Sequence, residues 1–226
     1  CFNSTHPTMF TKEVVLLLLC TLTVATMTSA FDRGIDVSHH NGVVNWEKVK
    51  AAGIKFAVAK ATEGNHMEDS QFKANFDGMK RNGIQAGAYH YLRGGQTAES
   101  QVAKIRAVLQ KVKFDPNKDA LVMDVEEKGN EKVTADQMAE TLNAVLTALK
   151  TTYKNLYIYC GPYYWEDKVS WRKYDFSQYK LWIAHYTQQS PRIPSTWKGP
   201  GYTWWQHSDK GKVEGVKGNV DLNRSK

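Results

Sequence analysis

Cysteine is scarce in this 226-residue chain, which holds three. Cys1 and Cys20 fall within the first thirty residues, so Cys160 is the single thiol of the remainder and no disulfide can staple it. Stability there must come from a packed core, and Cys160, at the end of the apolar run Leu156–Tyr159, reads as a small buried hydrophobe. Beyond residue 30 there is no long apolar stretch. The one before it, Val14–Val24, is well short of the roughly 20 residues that a spanning helix needs. Metal-ligand spacing is missing as well: no His-x-x-x-His or Cys-x-x-Cys occurs, and adjacent His39 and His40 point apart in an extended chain. No metal or cofactor is therefore expected, and His39, His40, His90, His185 and His207 are assigned to hydrogen bonding and loop packing. Neither Gly94-Gly95 nor the stretch Gly211 to Gly218 forms a phosphate loop, and no repeat, low-complexity tract or linker announces an appended module.

What is present begins with a leader. Met9 is followed by Lys12, the apolar run, and Thr28-Ser29-Ala30, a small-residue cleavage site, which together predict a secretory signal. Residues 1–30 are set aside as leader and residues 31–226 are expected to form one domain, secreted and without a stable membrane anchor. The leader's Lys12 and Glu13 cancel, so the net charge of +7 belongs to the domain. Such a charge favours polyanions through long-range attraction without selecting among them, and solubility explains it equally well. Nucleic-acid binding would need a basic stripe or a reading motif. The lysines are instead spread over helices, so no such partner is expected.

Short apolar strands alternate with helical patterns, which predicts parallel strands joined by crossovers. Strands are expected at Arg33–Val37, Lys55–Ala61, Gln85–Leu92, Ala120–Val125, Leu156–Cys160, Leu181–Tyr186, Tyr202–His207 and Val220–Leu222. Helical spacing falls at Trp46–Ala52, at Phe72, Phe76 and Met79, at Val102, Ile105 and Leu109, and after the Thr134/Gln137 capping box. The last third has prolines and glycines in place of clear helices. The expected fold is an α/β single-domain (β/α) barrel of about eight strands with an incomplete helix set, and an open doubly wound sheet is the alternative.

The chemistry centres on Leu121-Val122-Met123-Asp124-Val125-Glu126-Glu127. An apolar strand that ends in acids delivers carboxylates to a sheet edge, and side chains two apart share a face, so Asp124 and Glu126 point into one space. Like charges in a poorly solvated site cannot both ionise freely, which makes one an acid and the other an anion. The triplet alone also fits a helix cap with a surface acid. Its company decides: Asp36 in the first strand and Asp221 in the last become neighbours if the barrel closes, and four acids in one mouth are not a folding requirement. Aromatic residues at strand ends, among them Tyr91, Tyr159 and Trp205 with Gln206 beside it, suit sugar rings, which have apolar faces and hydroxyl edges.

Asp36-Val37-Ser38-His39-His40-Asn41-Gly42, Lys60-Ala61-Thr62-Glu63-Gly64, Gly87-Ala88-Tyr89-His90-Tyr91, Met123-Asp124-Val125-Glu126, and Trp205-Gln206-His207-Ser208 with Gly218 to Asn223 follow one another along the chain. In this order the six stretches resemble glycoside hydrolase family 25, the lysozymes of the Chalaropsis type. The resemblance spans essentially all of residues 31–226. It implies an N-acetylmuramidase that cuts the β-1,4 bond between N-acetylmuramic acid and N-acetylglucosamine in peptidoglycan, acting as a monomer outside the cell or in a phagosomal lumen. Carried over by position, Glu126 matches the proton donor, Asp124 the neighbouring carboxylate, and Asp36 and Asp221 acids of the same groove. Tyr91, Tyr159, Trp205, Gln206 and Glu63 are the expected substrate contacts. Ala59 and Met67 depart from the family pattern and bear only on fit at the rim. For the attack on the anomeric carbon, a carboxylate nucleophile, an activated water and the substrate's own N-acetyl oxygen oriented by Asp124 all fit; the last is favoured. A chitinase-like enzyme and a silent glycan-binding barrel are the rival readings, and Ala120 and Val122 stand where a chitinase would carry further aspartates.

Overall fold

Eight strands close on themselves. In the computed structural model, which describes residues 1–2 and 31–226, residues 31–226 form one compact unit, and the expected signal lies outside the described residues. The elements in order are β1 (Arg33–Val37), α1 (Trp46–Ala51), β2 (Phe56–Glu63), β3 (Met67–Glu68), α2 (Phe72–Arg81), β4 (Gln85–Tyr91), α3 (Ala98–Leu109), β5 (Ala120–Val125), α4 (Ala135–Leu149), β6 (Leu156–Cys160), α5 (Pro162–Lys168), β7 (Lys180–Ala184), β8 (Trp204–Gly211) and β9 (Val220–Ser225). The sheet runs β1-β9-β8-β7-β6-β5-β4-β2, and β1 pairs with β2 to complete the ring, with the short β3 folded back on β2. Closure excludes the open sheet. No helix among the described residues is long and apolar enough to cross a membrane.

One strand departs from the expected parallel order: β9 runs antiparallel to both β8 and β1. Only residues 212–219 join β8 to β9, too short a link for the crossover that a parallel strand needs, so the chain turns back as a hairpin. The helices follow local signals. Thr134 and Gln137 form the capping box of α4, and Met138, Leu142, Val145, Leu146 and Leu149 face the sheet, all fully buried.

Strand alternation divides the apolar residues between two cores. The larger lies between the sheet and its helices; the smaller, inside the ring, contains Phe56, Val58, Ala120, Val122, Tyr157, Tyr159, Trp182 and Trp204. Trp204 lies between Phe56 (ring centroids 4.6 Å apart) and Tyr157 (4.3 Å), and this stack floors the barrel. Gly34 permits it: a Cβ there would come within 2.3 Å of the Phe56 ring. The functional end therefore lies above the floor, at the carboxyl ends of the parallel strands.

Candidate active site

The strand ends of the ring enclose a cavity of about 470 Å³. β5 supplies Asp124 and, one residue past its end, Glu126; β1 supplies Asp36 and β9 supplies Asp221. Val125, between the two acids, points out into the helix-side core, as the period of two requires. Asp36 and Asp221 are register partners across the β1–β9 pair. The four carboxyls expected from the sequence are thus brought together, with Tyr91, Tyr159, Gln206 and Glu63 in the same lining.

Trp205 is the exception, and the expectation that it contacts substrate is corrected. It follows the inward-facing Trp204, so its indole lies on the outer face of β8 in the helix-side core, where Nε1 donates to the His185 carbonyl at 2.7 Å.

Asp36 is the best-solvated of the acids by protein groups. Its Oδ2 accepts from Gln206 Nε2 at 3.0 Å and from Asn223 Nδ2 at 2.8 Å. Each amide is itself oriented: Gln206 Oε1 accepts the hydroxyls of Tyr159 (2.8 Å) and Tyr186 (2.9 Å), and Asn223 Oδ1 accepts Trp182 Nε1 at 2.8 Å. Burial pushes Asp36 up, and the hydrogen bonds from Asn223, Gln206 and Asp221 oppose that shift. Asp221 rises to about 8, through burial first and then the negative charge of Asp36, and in its protonated form it donates to Asp36.

Asp124 is held differently. It is 6% exposed, and its Oδ1 has no hydrogen-bond partner among the described residues. Burial and then the charge of Glu126 push its pKa well above the usual carboxylate range. Glu126 is raised too, by burial first. Two like charges on one face of a poorly solvated mouth oppose each other's ionisation, which favours one proton shared by the pair over two charges.

Cations complete the wall. Lys60 Nζ reaches Glu63 at 2.6 Å, and Arg93 pairs with the same carboxylate. Burial would raise Glu63, but these partners outweigh it and hold Glu63 below its usual value. Lys60 and Glu63 are three apart yet face the same side. The extra residue Ala61, a bulge between the register pairs Lys60–Tyr89 and Thr62–His90, makes that possible. Arg93 also donates to the Lys128 carbonyl at 2.8 Å and stacks on Tyr91, whose hydroxyl donates to the same carbonyl at 2.8 Å. Gly129 has φ of +75°, and any Cβ there would collide with the Arg93 guanidinium.

The bulge turns Thr62 outward to His90 Nδ1 at 2.8 Å, while His90 Nε2 meets Gln101 at 3.0 Å. Burial lowers His90 to about 4, so it stays neutral and structural. Lys60, Arg93, Asn223 and Tyr186 were not among the site residues expected. Asn223 was within reach of the strand period, two residues from Asp221, as was Lys60, two residues past the inward-facing Val58; Arg93 lies in a loop that carries no such period. Among the described residues no group of three or more His, Cys, Asp or Glu is arranged to hold a metal ion.

A closed barrel whose mouth gathers buried carboxyls within an aromatic wall has the make-up of a glycoside hydrolase. A family model described as Glycosyl hydrolases family 25 matches residues 35–216, and the chain belongs to that family. Among curated relatives, Lysozyme M1 of Streptomyces globisporus is 33% identical over 199 residues, covering 85% of this chain and 67% of the relative. The N,O-diacetylmuramidase of Chalaropsis sp is 24% identical over 204 residues, covering 84% and 95%. The crystal structure of the bacterial lysozyme from Streptomyces coelicolor superposes with a TM-score of 0.77 at 30% identity, covering 87% of this chain and 93% of that one.

Proposed function

We propose that this glycoside hydrolase is a muramidase, secreted from the cell, that cuts the β-1,4 bond between N-acetylmuramic acid and N-acetylglucosamine in bacterial peptidoglycan. The observation that carries the reading is Asp124: a buried carboxyl with one oxygen unpartnered, beside Glu126, in a cavity of sugar-ring dimensions. An unsatisfied buried acceptor calls for a donor, and the amide N–H of an N-acetyl group supplies one.

The steps follow from the shared proton. When the substrate amide donates to Asp124, the Asp124 anion is stabilised and the proton of the pair passes to Glu126. Glu126 then protonates the glycosidic oxygen as that bond breaks, and the N-acetyl carbonyl oxygen closes on the anomeric carbon. Glu126, now a carboxylate, takes a proton from the water that opens this ring, so the configuration is retained. Asp36, held by Gln206 and Asn223, keeps a negative charge near the developing positive one.

The test is clearance of purified peptidoglycan by residues 31–226, beside Glu126→Gln, with mass spectrometry of the fragments. Muramic acid at the new reducing ends, absent with the variant, is the expected result. Release from chitin but not from peptidoglycan would move the assignment to a chitinase-like enzyme, and binding without cleavage would leave a lectin.

A further inference from the structure

Across the mouth from the catalytic pair, one histidine is held in a way that the steps above do not use. His39 begins the 3-10 turn His39–Asn41 that follows β1, and β1 stands three strands from β5 one way round the ring and five the other. Its backbone N–H donates to Asp69 Oδ2 at 3.0 Å, and its Nδ1 lies 2.6 Å from the same oxygen. Asp69 Oδ1 accepts the Gln71 N–H at 2.9 Å, and Asp69 is 2% exposed. The His39 backbone N–H already ties the two loops together, so the ring contact is additional to that tie.

Its effect is on the imidazole. A carboxylate oxygen at this distance accepts, so Nδ1 carries the hydrogen of the contact, and in the tautomer this selects the lone pair is at Nε2. Nε2 makes no hydrogen bond among the described residues, and the half-buried ring lines the cavity and rests against His40, centroids 3.9 Å apart. Asp36 shares this lining, and Lys60 and Arg93 are engaged by Glu63, so a neutral hydroxyl or amide donor is the partner that fits the free Nε2.

We propose that His39 is a substrate-positioning residue: Nε2 accepts a hydrogen bond from a hydroxyl or amide N–H of the bound saccharide, and Asp69 fixes the tautomer and the aim. The role rests on the glycan-cleaving reading. It makes the mouth grip the sugar from both sides, with chemistry on the β5 side and alignment on the β1 side.

The experiment compares wild type, His39→Ala, His39→Gln and Asp69→Asn on soluble, un-cross-linked peptidoglycan strands. His39→Ala should raise KM about five- to tenfold with kcat within about twofold, as loss of one hydrogen bond predicts. His39→Gln, which keeps an acceptor, should recover most of that loss, and Asp69→Asn should fall between. An unchanged KM in His39→Ala overturns the proposal. So does an equal loss in His39→Gln accompanied by a matching drop in Tm, which would mark a structural tie. Kd for the same strands, read by calorimetry with Glu126→Gln and Glu126→Gln/His39→Ala, needs no turnover. An inactive wild type would then count against the glycan-cleaving reading, while the Kd ratio still decides the role of His39.

Discussion

Asp36 and Asp221 face each other in register across the β1–β9 pair, and Asp221 keeps its proton to higher pH so that Asp36 can be charged. The folded-state pKa of Asp221, about 8, lies above its ordinary 3.8, so the stability it contributes is complete below about pH 4 and is lost as pH rises towards 8. Asp221→Asn keeps an amide donor and cannot ionise. Its Tm should match wild type at pH 4 and exceed it by about 3–6 °C at pH 8, about 1–2 kcal/mol, because Asp221 is only partly buried. Paired calorimetric scans decide; a gap independent of pH would refute the assignment.

Asp124→Asn separates chemistry from stability. Removing a buried ionisable group whose pKa is pushed up should raise Tm at pH 7 and leave it unchanged at pH 4, since the wild-type acid is neutral there. Activity on peptidoglycan should fall by about 100-fold or more, within the range for a group that acts on a proton or holds the reacting one. A variant both stable and active would remove Asp124 from the mechanism.

Asn223 couples a charge to the inner core. Asn223→Ala takes a donor from Asp36 and the acceptor from Trp182 Nε1, leaving two buried groups short of a partner. Unfolding in urea should show a loss of about 2–3 kcal/mol, and kcat should fall as Asp36 loses part of its support.

Trp205→Phe tests the outward placement of that indole. It deletes the hydrogen bond to His185 and some packing, so Tm should drop by a few degrees while kcat/KM stays within about twofold of wild type. A large rise in KM with little change in Tm would restore Trp205 to the substrate wall.

Much of this arrangement was legible in the chain. All eight ring strands announce themselves as short apolar runs, and the period of two correctly places Asp124 with Glu126 and sets Val125 apart. The same period, started one residue later, would have put Trp204 inside and Trp205 outside; an aromatic doublet carries no mark of its own register until a neighbour such as Phe56 fixes it. The reversed direction of β9 follows from a loop too short to cross back, a count that was available but outweighed by the repeating strand–helix rhythm of the first two thirds. The Lys60–Glu63 pair was out of reach, because a bulge at Ala61 breaks the alternation on which such placement depends. His39 and Asp69 are thirty residues apart, and no local pattern joins them.

The antiparallel β9 also links closure of the ring to assembly of the acid cluster. It joins both edges of the sheet and brings Asp221 and Asn223 to Asp36, so the ring and the charge network are completed by the same six residues. Without residues 220–225 the parallel strands and both Asp124 and Glu126 are still present, but the seam is open and Asp36 keeps Gln206 as its one amide partner among the described residues. A chain cut before that strand should therefore lose the closed ring and part of the support for the Asp36 charge together.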